Sequence, residues 1–263
     1  MRSLLKQMGL LFANLPPLRG LLPLLTFLMV WQLVQPGPSP YFPGPFEWWR
    51  AMLNLAHRTD LTAAFESTAM TFLLGLALAT IIGGGLGVLI GVSAFINRAL
   101  HPLLEFMRAI PPPATVPVAA LLIGYNETMK LVVIVLAALW PILLNTSAAA
   151  RRTDPLLLDV ARTFRLRRID TIWRITIPSV VPALLLGIRV AIPLTIILAL
   201  LVEMLTSLPG IGALMIQAQR NFQSSEVYAL LVLIGLFGLV VNDAFIVIET
   251  IILRSRPPRV MGA

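Results

Sequence analysis

Between Ser67 and Ala94 the chain runs for 28 residues without one charged side chain. As a helix that run reaches about 42 Å at 1.5 Å per residue, longer than the roughly 30 Å hydrocarbon core of a bilayer. A soluble domain would have to bury such a helix inside a polar shell, and this chain has too little polar material to make one. Charged residues are 12% of its 263 residues, against about a quarter in soluble domains, and the mean hydropathy is +0.89. Most of the exterior must therefore face lipid. There the backbone has no water to bond to, so the spanning segments close their own hydrogen bonds as helices. The expected fold class is all-α: a polytopic transmembrane helical bundle of about six spans.

Apolar runs place those spans at Gly20–Val34, Ser67–Ala94, Pro102–Gly124, Met129–Ala149, Ser179–Leu205 and Val227–Leu253. The first is short enough to resemble the apolar core of a signal peptide, but no small-residue cleavage site follows it. The connections sort by charge. Arg2, Lys6 and Arg19 precede the first run, and Arg98 and His101 lie between the second and third. Arg151, Arg152, Arg162, Arg165, Arg167, Arg168 and Arg174 lie between the fourth and fifth, and Arg254, Arg256 and Arg259 follow the last. With six crossings all of these fall on one side, and the positive-inside rule makes that side, with both termini, cytoplasmic. The net charge of +8 is thus read as topology and not as a nucleic-acid surface. The expected layout is a cytoplasmic N-terminal amphipathic segment (1–19), a transmembrane domain (20–253) with a long cytoplasmic loop (150–178), and a cytoplasmic tail (254–263). Tyr41 to His57 is aromatic, as expected at the opposite headgroup level. Cysteine is absent, which excludes disulfides and Cys-based metal sites.

Within the spans, Gly75, Ala79, Gly83, Gly87 and Gly91 recur every fourth residue and form one stripe on a helix. Small stripes let helix backbones approach closely. Packing inside one subunit is the plainer expectation, and a subunit–subunit contact the other. The third span carries Pro111, Pro112, Pro113 and Pro117. Proline breaks the helical hydrogen-bond ladder, and irregular backbone at membrane depth survives only when buried or lining a cavity. That span is therefore a candidate to line a pathway. Arg189 falls about 15 Å into the fifth span, where an unpaired charge is costly. Asp243 in the last span is a candidate partner for it, and Glu203 lies further along the fifth. Pathway-lining candidates are Pro111, Pro112, Pro113, Asn145, Arg189, Glu203 and Asp243. Glu105 and Arg108, three apart, read as a local surface pair. The chain holds no phosphate-binding G-x-x-x-x-G-K-[ST] loop, no H-E-x-x-H and no G-x-S-x-G, so no catalytic or metal residues are assigned.

The loop from Asp154 to Pro182 fits two short helices joined by a basic turn. Its residues Asp159-Val160-Ala161-Arg162-Thr163-Phe164-Arg165, followed by Ile175-Thr176-Ile177-Pro178, resemble the E-A-A-x-x-x-G…(I/L)-x-x-P signature of ABC importer permeases. Asp159, Val160 and Arg165 depart from it, and Arg165 most sharply, since glycine normally permits the turn at that point. Further resemblances support the match. They are Arg108-Ala109-Ile110-Pro111-Pro112, Trp140-Pro141 through Asn145-Thr146, Pro178 through Pro182 to Gly187-Ile188-Arg189, and Glu203-Met204-Leu205 through Pro209-Gly210-Ile211-Gly212. Together they cover about 61–223 and are similar to importers of sulfonates, taurine, nitrate and related small, mostly anionic solutes.

The resemblance implies a type I importer fold in a bacterial inner membrane, with no cofactor on this chain and with ATP and Mg on partner ATPase subunits. It also implies a second permease subunit, expected to be identical, and a solute-binding protein. The implied ATPase-coupling residues are Asp159, Ala161, Arg162, Arg165, Arg167, Arg168, Ile177 and Pro178. The alternatives are a secondary transporter or channel without an ATPase, for which Asp243 and Glu249 would be the intramembrane carboxylates, and a membrane-embedded enzyme or scaffold.

Overall fold

A computed structural model describes residues 18–254 apart from Pro36, Pro38 and Arg58. The expected N-terminal interfacial segment, up to residue 17, and the tail after Arg254 lie outside the described residues. The described chain is helical: α1 (Leu18–Val34), α2 (Pro45–Ala56), α3 (Thr59–Val92), α4 (Ala94–Ala109), a 3-10 turn (Pro112–Ala114) and α5 (Thr115–Ile123). After these come α6 (Glu127–Arg151), α7 (Pro155–Thr163), α8 (Arg168–Thr171), a π turn (Ile172–Thr176), α9 (Ile177–Thr206), α10 (Ile211–Arg220) and α11 (Ser224–Leu253).

Four helices among the described residues are long and apolar enough to cross a membrane: 60–92, 127–151, the continuous run 168–206, and 224–253. A fifth crossing exists only if α4 and the segment 112–123 count as one broken span, and these meet at 83°. Six crossings were expected; the first of them, α1, contributes the 17 described residues Leu18–Val34.

The third expected span differs most. Arg98 and His101 are not in a loop. Ser93 caps a new helix by accepting the Ile96 N–H at 3.3 Å, and that helix continues through Pro102 to Ala109. It is amphipathic: Ile96, Leu100 and Leu104, spaced by four, pack on the core, while Phe95 and Phe106 stay exposed. The chain then extends through Ile110 and Pro111 before re-entering helix. The break falls at the proline run because three successive residues there lack a backbone donor.

The compact part formed by residues 60–214 and 233–253 has its core where α3, α6 and α9 meet. Glycines make the approach possible. A Cβ built on Gly87 would lie 2.7 Å from Thr146 Cβ, and one on Gly91 would lie 2.5 Å from Ala150 Cβ. Gly75 faces Ile134 and Gly83 faces Ile142 in the same way, so the small stripe runs the length of α6. From α9, Gly187 approaches the backbone of Pro141 and Ile142. Helices here touch through backbone and small side chains, and dispersion at close range replaces the hydrophobic effect that lipid cannot supply.

The other part, residues 18–59 and 215–232, is organised by aromatic rings. Trp48 stacks on Tyr228 at 5.1 Å, Trp31 meets Trp48 edge-on at 5.0 Å, and the Trp48 indole N–H donates to Pro43 O at 2.9 Å. The aromatic segment Tyr41–His57 thus forms α2 and a ring cluster.

Candidate functional site

The Glu203 carboxylate lies near the end of α9 and has no exposed surface. Lys130, one turn into α6, is equally buried and places Nζ 2.9 Å from Glu203 Oε1. An ion pair removed from water holds only where its remaining donors and acceptors are also met, and here they are. The Thr68 hydroxyl donates to Glu203 at 2.9 Å and accepts the Ile211 N–H at 2.9 Å. The Gly212 N–H donates to Glu203 Oε2 at 2.9 Å. Lys130 Nζ also donates to Ser67 Oγ at 3.2 Å and Pro209 O at 3.1 Å, and reaches Glu127 at 3.4 Å. One cluster therefore ties α3, α6, α9, the loop 207–210 and the first turn of α10 together.

Glycine is required where the loop passes the carboxylate. A Cβ on Gly210 would sit 2.1 Å from Glu203 Cδ, and one on Gly212 would sit 2.4 Å from Leu200 O. Lys130 opens the fourth expected span, and Glu203 was expected on a pathway. The structure seals both in the packed interior. The signal that would have found the pair is topological: antiparallel α6 and α9 bring the start of one beside the end of the other, next to a Gly-x-Gly loop.

The other pathway candidates are dispersed. Arg189 pairs with Glu249, not with Asp243, which is exposed and has no ion pair among the described residues. The face of α11 decides between them: the Glu249 side chain is 17% exposed where it meets Arg189, whereas Asp243 lies on the exposed side of the helix. Asn145 donates from Nδ2 to Pro141 O at 2.7 Å within its own helix. It also lines a cavity of about 670 Å³ with Arg152, Asp154 and Ser179. Pro112 roofs a small hollow of about 60 Å³ over Trp140; Pro111 is exposed and Pro113 partly so. Glu105 and Arg108 form an exposed pair at 2.8 Å. Among the described residues no group of His, Asp or Glu is arranged to hold a metal.

The basic segment after α6 is built as an arm. Asp154 caps α7 by accepting the Leu156 N–H at 2.9 Å, with Pro155 at the first turn. The helix closes on Arg165, whose φ of 51° is left-handed, and the Leu166 N–H returns to Ala161 O at 2.9 Å. This is the glycine-type helix stop made with an arginine. The missing glycine therefore leaves the turn intact, at a backbone cost of about 1–2 kcal/mol. Ala161 is buried, while Leu156 (68% exposed), Val160 and Phe164 (74% exposed), four apart, present an uncovered apolar edge. Arg162 pairs with Asp159 at 2.9 Å on the surface. α8 does not stop after one turn: through the π turn and Pro178 it runs into α9 without a break.

This architecture defines a class. Over 73% of its length the chain shares the fold of a chain of the MetNI methionine ABC transporter, covering 94% of that chain with a TM-score of 0.61 at 17% identity. The fold is that of an ABC-transporter membrane subunit. Residues 79–256 match the family of binding-protein-dependent transport system inner membrane components, and the chain belongs to that family. The nitrate import permease protein NrtB of Leptolyngbya laminosa is 33% identical over 183 residues, which are 70% of this chain and 64% of NrtB. The bicarbonate transport system permease protein CmpB of Synechococcus elongatus is 29% identical over 255 residues, 91% of this chain and 89% of that protein.

Proposed function

We propose that this chain forms the translocation pathway of an ATP-driven importer for a small inorganic or organic anion. In this reading ATP is hydrolysed on a separate subunit that grips the arm 154–174, a second permease, most simply an identical copy, completes the pathway, and a binding protein delivers the solute. The arm and both termini face the cytoplasm.

One observation carries this reading. The chain has no nucleotide-binding motif, yet three of its membrane helices end at an arm whose apolar edge is uncovered and whose cations, Arg162 apart, have no carboxylate partner among the described residues. Such an edge fits a groove on another protein. ATP would bind one closure state of the motor better than the other, and the arm would pass that difference to the bundle. The anionic solute class is supported by the names of the relatives. Arg189 contributes less to this reading, because Glu249 compensates its charge.

The test is co-expression with a candidate partner ATPase and reconstitution in proteoliposomes. Arg165→Glu should leave ATP hydrolysis within about twofold and lower uptake at least tenfold. Unchanged uptake with the ATPase still bound would place the arm outside the contact. A cysteine introduced at Arg167 should react with an impermeant reagent in inverted vesicles and not in intact cells; the opposite pattern would reverse the proposed topology.

A further inference from the structure

Where α3 turns into α4, two hollows open between that corner, the end of α6 and the inner side of the arm. The first, about 450 Å³, is lined by Asn97, Arg98 and Arg151. The second, about 720 Å³, is lined by Arg162 and Arg168 with Leu166 and Ile172. Both include Val92, Ala94, Leu158 and Thr176, so they form one recess. Four arginines line it, and no Asp or Glu does.

The arginines are not neutralised from within. Arg151 is oriented by neutral groups, donating to Asn97 Oδ1 at 2.6 Å and Ser147 Oγ at 3.2 Å. Arg98 Nε donates to Ala94 O at 3.3 Å. The Arg168 guanidinium makes no hydrogen bond or ion pair among the described residues. Only Arg162 has a carboxylate, Asp159, and that pair faces outward, with the Arg162 side chain 80% exposed. Like charges gathered beside a low-dielectric wall repel one another unless an anion joins them. Guanidinium groups suit the forked geometry of phosphate.

The place and the wall select which phosphate. Two spans end at the recess, at Val92 and Arg151, and a third begins there at Arg168. That level is where headgroups lie. Val92, Leu158, Leu166 and Ile172 supply an aliphatic lining beside the charges, as a phosphate on an acyl stem requires and a free ion does not. Basic recesses between membrane helices commonly take such headgroups. A partner protein fits less well: Arg98 and Arg151 belong to the bundle and not to the arm, and the exposed residues Leu156 and Phe164 lie outside the lining.

We infer that this recess is a binding site for an anionic phospholipid, whose phosphate is held by Arg98, Arg151 and Arg168 and fills the space between the bundle and the arm. The inference rests on the membrane-embedded reading of the chain and not on coupling to ATP.

The full-length chain is purified alone in detergent and titrated with short-chain phosphatidylglycerol, with phosphatidylcholine of the same chain length, and with inorganic phosphate. Retained adducts are read by native mass spectrometry and unfolding temperature in parallel. Phosphatidylglycerol should bind at least tenfold tighter than phosphatidylcholine. Arg98→Gln with Arg168→Gln should remove that preference, while Arg174→Gln, which takes a charge from the same arm outside the recess, should keep it within twofold. The Arg98→Lys with Arg168→Lys variant guards against misfolding and should lose two- to tenfold, since lysine meets phosphate only as a point charge. Equal binding of the two lipids, or equal loss in Arg174→Gln, overturns the site. Inorganic phosphate binding as tightly as phosphatidylglycerol makes it a free-oxyanion site and overturns the lipid assignment. An unchanged preference for phosphatidylglycerol in the double variant also overturns the site. Because the lipid is measured without an ATPase, failure of the transport reading leaves this result standing.

Discussion

The two ends of the helix 168–206 use charge in opposite ways. At the Glu203 end, one acid and one base are sealed from solvent, and every partner comes from the chain itself: Thr68, Ser67, the Gly212 N–H and Pro209 O. At the Arg168 end, arginines outnumber nearby carboxylates and their guanidinium groups are exposed or open to a recess. The first arrangement is complete when the chain folds. The second becomes complete only with something the chain does not encode. A charge inside the bundle thus reports on architecture, and an uncompensated charge at its margin reports on partners.

The largest expected break of this contrast is in the sealed end. Lys130→Ala leaves a buried carboxylate without its counter-charge and should cost about 3–5 kcal/mol. The measurement is the fraction of detergent-solubilised protein that stays monodisperse on heating, and a loss below 1 kcal/mol would mean that water reaches Glu203. Next comes Gly210→Ala, where the added methyl meets Glu203 Cδ at 2.1 Å. Displacing the loop should cost about 1–3 kcal/mol, and in a Glu203→Ala background the two losses should be clearly less than additive. The smallest effect lies at the open end. Arg165→Gly relieves a left-handed backbone and should stabilise the arm by about 1 kcal/mol, read as slower proteolysis after Arg162. If the guanidinium is needed by a partner, that gain in stability comes with a fall in uptake; if uptake also rises, only the backbone matters at this position.

How far the sequence could be read follows the same division. The termini of α6 and α11 fall within a few residues of their apolar runs, and the proline run marks where α4 and α5 part, because local chemistry decides both. The arm was visible in its arginines and in Asp154-Pro155, a helix cap followed by a helix start. What escaped was tertiary. Lys130 has no evident partner in sequence until α9 brings Glu203 to it, and Asp243 looks like the partner of Arg189 until the fold turns Glu249 toward it. α4 is an intermediate case: Ile96, Leu100 and Leu104 already spell an amphipathic helix in sequence, but the polar residues between them favour a loop when charge alone is weighed. α10 starts within the Gly210-Ile211-Gly212 sequence and carries its apolar residues on a short, mixed helix that hydropathy alone does not single out.

The unbroken run from Arg168 to Thr206 measures about 58 Å at 1.5 Å per residue. It begins in the arm and reaches the buried Glu203 three residues before its far tip. A rod clamped at one tip can tilt or twist about the clamp but cannot slide, so a push at Arg168 would be felt as a swing that is widest on the arginine side and vanishes near Glu203. The wide-bore π turn at Ile172–Thr176 loosens the winding near the arginine end, and Pro182 and Pro193 interrupt the hydrogen-bond ladder further along, so these are the joints at which part of such a swing would be absorbed.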